Sequence, residues 1–452
     1  MTQANDLHLH HEAVKALNRE AELVISEVHL VARNQGTTTG FQPEAFVSAN
    51  IPGGDIIGEI EVGVVDGTGN QVGKLFRQNG QQVGLLGEGF QKLKSLAERI
   101  QRTKSFRDRV SEKCVLETGL DWVGKRYCQK TTESFCEYVI EQCSRRLRKM
   151  EIWVPVYKVH AEEDITIGSC VLRTITEQML EEREQHFRSV VKENNVQIEE
   201  KFRTERKRMQ GTVAATLIVD AEPERAHELA RERAETAIGL LNFFHPAHGT
   251  LRTRSYATLL GQENIQITTA LVLENRQIRG SQQGLVDRGA APWVLDRSHI
   301  RFLQESGLAK IGALWDKEEK SDYDTCLLNA VLLYSKSSLS MMVTQRLLYI
   351  FAALESMLLK NTSEPVQKNI GERLAFLTRK TAAERRRVAE VVEEVYKLRS
   401  RFLHHGEAVK ESEVIEEFMG CAWTSFVVLI AESERFRTRS AMFDVLDNMK
   451  FS

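Results

Sequence analysis

The stretch DYDTCLLNAVLLYSKSSLSMMVTQRLLYIFAALESMLLK, residues 322–360, decides the fold of the C-terminal third of the chain. Its apolar residues recur every three or four positions, which predicts two successive amphipathic helices. Further helices are predicted over 365–378, 381–405 and 413–434, separated by short polar connectors such as NTSEP. Helices of this length joined by a few residues pack as antiparallel neighbours. We therefore expect an all-helical bundle over 321–452.

Residues 151–320 show a different pattern, in which strand-like and helix-like segments alternate. Strands are predicted in 152–160, 164–175, 212–221 and 267–275, where apolar and β-branched residues dominate. One solvated helix is expected over the charged stretch 177–209, and another helix in PERAHELARERAETAIGLLNFF from Pro223. This order favours a compact α/β or α+β arrangement, and we expect a central α/β unit over 151–320.

The first 150 residues form a mixed region. A helical pattern occupies the first ~30 residues and returns over 91–150, whereas 13 of the 28 glycines lie between 36 and 89. Such glycine density predicts tight turns between short strands, or a mobile loop. The segment DGTGNQVGKL is not a nucleotide-binding P-loop, because Thr68 and Leu75 replace the required glycine and Ser or Thr. Together the three regions predict a multidomain α+β protein.

Composition limits the classes of function. The formal net charge of the 452 residues is -2, so no global basic field attracts nucleic acid. The 7 cysteines are odd in number and lack a CxxC pair, as expected for thiols in a reducing cytosol. His245 and His248 lack further ligands at a telling spacing, so no metal site and no cofactor are expected. The longest apolar run, 423–431, is too short for a membrane span, and a cytoplasmic protein is expected.

The candidate site lies in KLRSRFLHHG, residues 397–406. On the helix predicted over 381–405, Tyr396 and Arg399 flank the apolar face, and Gly406 provides a helix stop. His404 and His405 then fall in the last turn, where the helix dipole favours a protonated imidazole. An arginine can hold a phosphate and a histidine can transfer protons, although spacing alone also fits an ordinary surface helix end.

Three segments resemble the HEPN superfamily, most closely its Apea-like branch: LLYIFAALESML (347–358), IGERLAFL (370–377) and VYKLRSRFLHHGE (395–407). The resemblance covers the last 130 residues or so. It maps the family's motif, an arginine followed after four to six residues by a histidine, onto Arg399 with His404 or His405. Ser400, Arg401 and Tyr396 are expected to support the site. Glu355 matches a frequent acidic position of the Apea-like pattern, where it would either act in catalysis or pair with the motif arginine.

The resemblance implies a metal-independent endoribonuclease of a prokaryotic antiphage defence or toxin-type system, acting on RNA as a homodimer. A further defence-system protein is an additional expected partner. A non-catalytic scaffold for dimerisation and RNA or protein binding is the alternative. Catalytic relatives often carry Asn, Asp or His directly after the motif arginine, whereas this chain has Ser400. An enzyme in the central α/β unit is a third option, but that region offers no nucleotide loop or nucleophile elbow.

Overall fold

A computed structural model describes residues 7–30, 62–65, 68, 71–78, 81–190, 196–262, 267–274, 277–285, 291–410 and 412–449. The described residues divide into two compact units. The first comprises those within 1–150 and 218–229, and the second those within 151–217 and 230–452. Much of the predicted glycine-rich segment lies outside the described residues. The predicted multidomain α+β class is confirmed, with a mixed N-terminal region, a central region of strands and helices, and a helical C-terminal region.

The first unit packs helices against a small antiparallel sheet. Its helices are α1 (His11–Ile25), α2 (Gly87–Gln101), α3 (Lys104–Arg107), α4 (Glu112–Tyr127) and α5 (Phe135–Arg146). Its strands are β1 (Val28–Leu30), β2 (Val62–Val65), β3 (Gln71–Gln78) and β4 (Gln81–Leu86), in the order β1-β4-β3-β2. Trp122 of α4 is fully buried and meets Phe135 of α5 edge to face, with ring centroids 5.2 Å apart. Helices α2 to α5 confirm the helical pattern predicted over 91–150 up to Arg146, and a strand begins at Arg148.

The second unit begins with a sheet. Each predicted strand segment holds at least one strand, whereas the strands at 258–259, 277–285 and 293–295 were not predicted. The strands from residue 148 onward are β5 (Arg148–Tyr157), β6 (Val159–Ala161), β7 (Ile165–Ile167), β8 (Cys170–Thr174), β9 (Val213–Ala221), β10 (Thr258–Leu259), β11 (Ile267–Glu274), β12 (Gln277–Leu285) and β13 (Trp293–Leu295). Five of them form a sheet in the order β10-β5-β9-β8-β7, while β11 pairs with β12 and β13 pairs in parallel with β6. Because β8 and β9 are antiparallel neighbours, the chain between them leaves and re-enters the sheet at one end.

The prediction of one helix over 177–209 is wrong. Two helices stand there, α6 (Glu177–Val190) and α7 (Val196–Met209), and together they form a two-helix arm. Phe187 meets Phe202 with ring centroids 5.2 Å apart, although a single helix would place them about 22 Å apart along its axis. These two aromatic residues contact each other only when the helices fold back on each other, although Phe187 stays 39% exposed. Arg206 bonds Glu184 at 2.9 Å and strengthens the pairing.

The rest of the unit is helical, as expected from residue 321 onward. Its helices are α8 (Pro223–Phe243, which begins in the first unit), α9 (Arg297–Glu305), α10 (Leu308–Trp315), α11 (Asp322–Leu339), α12 (Val343–Leu358), α13 (Val366–Thr378), α14 (Ala382–His405), α15 (Glu413–Ala431) and α16 (Arg439–Asn448). The five helices predicted from sequence match α11 to α15. The short helices α9, α10 and α16 were not predicted.

Helix α15 lies at the centre of the bundle. Phe418, Ala422 and Phe426 are buried, and the helix contacts α11, α12, α13 and α14. Among the described residues, it is the one helix with the length and composition to cross a membrane, at a mean hydropathy of 1.6. Half of that window is buried inside the structure, as in the core helix of a bundle.

A buried polar network joins the start of α12 to the segment 242–255. The side chain of Arg346 is 2% exposed. Its Nε donates to the Ser340 carbonyl at 2.9 Å, and Nη1 donates to the Thr250 carbonyl at 2.9 Å. Its other donors reach the carbonyls of Ala247 and Thr253. One guanidinium therefore fixes the path of several residues of chain.

Two histidines occupy the same network. His245 and His248 bracket a short 3-10 turn, Pro246–His248, and both are buried. Nδ1 of His245 accepts from the Ala247 N–H at 3.0 Å, and Nε2 of His248 lies 2.9 Å from the Asn242 carbonyl. The sequence indicated a loop turn here, and the turn is present. Its burial was not foreseen.

Candidate functional site

Helix α14 carries most of the candidate residues. A capping box between Thr381 and Glu384 starts the helix, and Gly406, at φ 68°, ends it in the left-handed conformation that glycine tolerates. One face is committed to the core through its buried residues Val388, Val391, Val392 and Val395. The C-terminal half, which bears the motif, is less buried, so its side chains divide between the bundle and solvent.

Arg399 points toward α12. Its Nη1 lies 3.1 Å from Oε1 of Glu355, and only 18% of the arginine side chain is exposed. The guanidinium carbon lies 5.3 Å from the ring centroid of Phe351 and 5.8 Å from that of Tyr396. Cation–π contact and the ion pair together restrict the guanidinium to one place. Three of the sequence candidates, Arg399, Tyr396 and Glu355, are thus brought together.

Phe351 is a contributor that sequence reasoning missed. It stacks on Phe418 with ring centroids 4.8 Å apart, and it meets the Tyr396 ring edge to face. A signal existed, because Phe351 lies one helical turn before Glu355 and therefore shares its face of α12. The guanidinium of Arg399 packs against the rings of Phe351 and Tyr396.

The two histidines lie apart from this cluster. His404 and His405 are exposed in the last turn of α14, with ring centroids 6.4 Å apart. Five residues of helix separate His404 from Arg399 by about 7.5 Å along the axis and about 140° around it. One α14 helix therefore does not direct both side chains toward the same point.

Ser400 and Arg401 occupy a third position. With Glu394, Lys397 and Leu398 they line an open depression of ≈ 480 Å³ along α14. The exposed Arg401 approaches Glu407 at 3.8 Å. Ser400 and Arg401 therefore contribute to a surface beside the Arg399 cluster.

Among the residues that the structure describes, no group of three or more His, Cys, Asp or Glu side chains is arranged to hold a metal ion. Comparison with known proteins returns no matching family model, no matching curated protein and no matching solved structure.

A double-mutant cycle tests the pairing of Arg399 with Glu355. We expect Glu355→Gln and Arg399→Gln each to lower the free energy of unfolding by about 1–2 kcal/mol, since each leaves a partly buried group without its charged partner. The double variant should recover about 1 kcal/mol relative to the sum of the two losses. Urea unfolding measures all four proteins. Strict additivity would show that the two side chains are energetically independent.

Proposed function

We propose that the protein is a metal-independent endoribonuclease of HEPN type, serving a prokaryotic antiphage defence or toxin-type system in the cytoplasm. The observation that carries the proposal is the Arg399 cluster: a fixed guanidinium on the helix that ends in two exposed imidazoles. Arginine supplies a permanent forked donor for phosphate oxygens, and histidine titrates near neutral pH. The HEPN-like motif of the sequence assigns the same residues.

The reaction is attack by a ribose 2'-hydroxyl on the adjacent phosphorus. A base removes the hydroxyl proton, the bond from phosphorus to the 5'-oxygen breaks, and an acid protonates the departing oxygen. In the proposal His404 transfers one of these protons, and Arg399 stabilises the charge that builds on the phosphate oxygens. His405 is the second candidate for proton transfer. Ser400, Arg401 and Tyr396 belong to the supporting shell.

The geometry of α14 favours a site made from two chains. Because Arg399 and His404 project about 140° apart, one copy does not close both around a single phosphate. Two copies related by a two-fold axis would supply two imidazoles and two guanidinium groups to one cleft. A homodimer through the helical bundle is therefore part of the proposal, with RNA as substrate and a further defence-system protein as regulator.

A cleavage assay on the purified full chain, with EDTA present and RNA of mixed sequence, tests the proposal. Arg399→Ala and His404→Ala should each slow cleavage at least ~100-fold. Arg386→Ala, which changes an exposed arginine on the same helix, is the matched control and should leave the rate unchanged. Cleavage that survives both motif substitutions ends the proposal.

A scaffold that binds RNA or protein without turnover is the second candidate. Its supporting observation is that Arg399 is mostly covered and already paired with Glu355, as expected for an arginine that stabilises the bundle. In that case the wild type does not cut RNA, and Arg399→Ala lowers stability or alters assembly. RNA binding whose affinity is insensitive to salt would further exclude phosphate recognition by this surface.

A further inference from the structure

Two buried thiols in the first unit, Cys114 of α4 and Cys143 of α5, lie in a setting that the proposed RNA chemistry does not use. Cys114 is 1% exposed and Cys143 is fully buried. Nη1 of Arg146 lies 3.5 Å from the Cys114 sulfur, and the Cys143 sulfur lies 3.9 Å from the Thr118 hydroxyl oxygen. Arg146 is exposed, so its side chain alone lies between the Cys114 sulfur and solvent on that side.

The position of Cys114 favours its thiolate for three separate reasons. Ser111 caps α4 by accepting from the Cys114 N–H at 3.1 Å, which places the cysteine in the first turn at the positive end of the helix dipole. The Arg146 guanidinium supplies a full positive charge. A hydrogen bond from the Cys143 thiol lowers the pKa of Cys114, against the opposing effects of burial and of Glu222. Positive charge near a thiol lowers its pKa and favours the thiolate, which is the reactive form.

Cys143 differs from Cys114 in the way that a resolving cysteine differs from an attacking one. The Cys143 sulfur contacts Thr118, one turn after Cys114 on α4, and Arg146, three residues after Cys143, contacts the Cys114 sulfur, so the two thiols lie on the facing sides of α4 and α5. The Cys114 hydrogen bond and burial both raise the pKa of Cys143. Cys136, also on α5, provides a contrast: burial raises its pKa to about 12, and its sulfur faces the Val14 carbonyl at 3.8 Å. Cys136 therefore contacts a backbone carbonyl, whereas Cys143 contacts Thr118 on the helix that carries Cys114.

We propose that Cys114 and Cys143 form a peroxide-reactive pair that closes to a reversible disulfide between α4 and α5. The Cys114 thiolate attacks one oxygen of hydrogen peroxide, the O–O bond breaks, and the hydroxide released takes a proton to become water. Cys114 is then a sulfenic acid. The Cys143 sulfur attacks it, the S–O bond breaks, and the Cys143 proton leaves with that oxygen as a second water. Two thiols and one peroxide thus give one disulfide and two waters.

The test treats the native full chain with hydrogen peroxide, blocks the remaining thiols and maps the peptides by mass spectrometry. We expect a loss of about 2 Da, a cross-link between the peptides of Cys114 and Cys143, and reversal by dithiothreitol. Cys143→Ser should stop at a sulfenic acid on Cys114 that reacts with dimedone. Cys136→Ser should behave as the wild type.

A pair of charge variants keeps the test decisive if a serine variant folds poorly. Arg146→Met should slow disulfide formation about tenfold, because the thiolate loses its cation. Arg145→Met is the matched control, since Arg145 bonds Glu141 at 2.6 Å and should leave the rate unchanged. The proposal is overturned if the cross-link joins other cysteines, if it forms only in denatured protein, or if both arginine variants react alike.

Discussion

Arg346→Met is expected to lower the free energy of unfolding of the second unit by about 3–5 kcal/mol. Methionine fills much of the same volume but donates no hydrogen bond. The carbonyls of Ser340, Ala247, Thr250 and Thr253 would then lose a charged donor in a buried place. Each buried carbonyl left unsatisfied costs about 1 kcal/mol or more, and methionine burial offsets part of the total.

Hydrogen exchange and urea unfolding measure this loss. Exchange should accelerate first at the amide of Ser255, which donates to the Ser338 carbonyl at 2.7 Å beside the network. Arg386→Met makes the same chemical change on an exposed part of α14 and should shift stability by less than about 0.5 kcal/mol. If the two variants are equally stable, Arg346 does not hold the segment 247–253.

Acidification from pH 6.5 to 5 should destabilise the second unit, because of His245 and His248. Burial, with the nearby charge of Arg346, lowers the pKa of His245 to about 4. Burial likewise lowers the pKa of His248 to about 3, with the Asn242 carbonyl opposing the shift. Nδ1 of His245 already accepts the Ala247 N–H, so a proton there would face another donor.

The sign follows from the unfolded chain, where a histidine has a pKa near 6.5. Below about pH 6.5 the two histidines bind protons in the unfolded state but not in the folded state. Their contribution to the free energy of unfolding is therefore fully present above that pH and decreases below it. Each histidine contributes a slope of about 1.4 kcal/mol per pH unit down to its folded pKa, which gives a loss of roughly 4 kcal/mol by pH 5 for the pair.

Urea midpoints measured from pH 7.5 to 5 check this expectation. His245→Asn combined with His248→Gln should flatten the profile, although the variant will be less stable at pH 7.5. His186→Gln, on the exposed face of α6, is the control and should keep the wild-type slope. A wild-type profile that is flat between pH 6.5 and 5 would contradict the depressed pKa values.

The bundle could be predicted from sequence because the signals for its helices lie within each helix and at its ends. In α14 the apolar residues repeat at helical spacing, and Thr381, Glu384 and Gly406 mark both ends. The arm formed by α6 and α7 could not be predicted in the same way. Its charged residues are compatible with one long helix as well as with two. The two helices are brought together by the contact between Phe187 and Phe202, which lie fifteen residues apart in the sequence.

The site was predictable as a set of residues but not as an arrangement. Spacing placed Tyr396 and Arg399 beside the core face of α14, where they lie. The pairing of Arg399 with Glu355 depends on how α12 packs against α14, which helical periodicity does not specify. The buried hydrogen bonds of Arg346 could not be predicted either. Their acceptors are backbone carbonyls, which every residue type carries.

The two-helix arm has a practical consequence for engineering the protein. Directly below it the Ile175 N–H donates to the Thr212 carbonyl at 2.9 Å, and the Gly211 N–H donates to the Ile175 carbonyl at 2.8 Å. These bonds continue the β8–β9 pairing up to the residues where the two-helix arm begins and ends. A reporter domain that replaces residues 178–208 would therefore join the chain at two neighbouring points, and the pairing of β8 with β9 would be preserved.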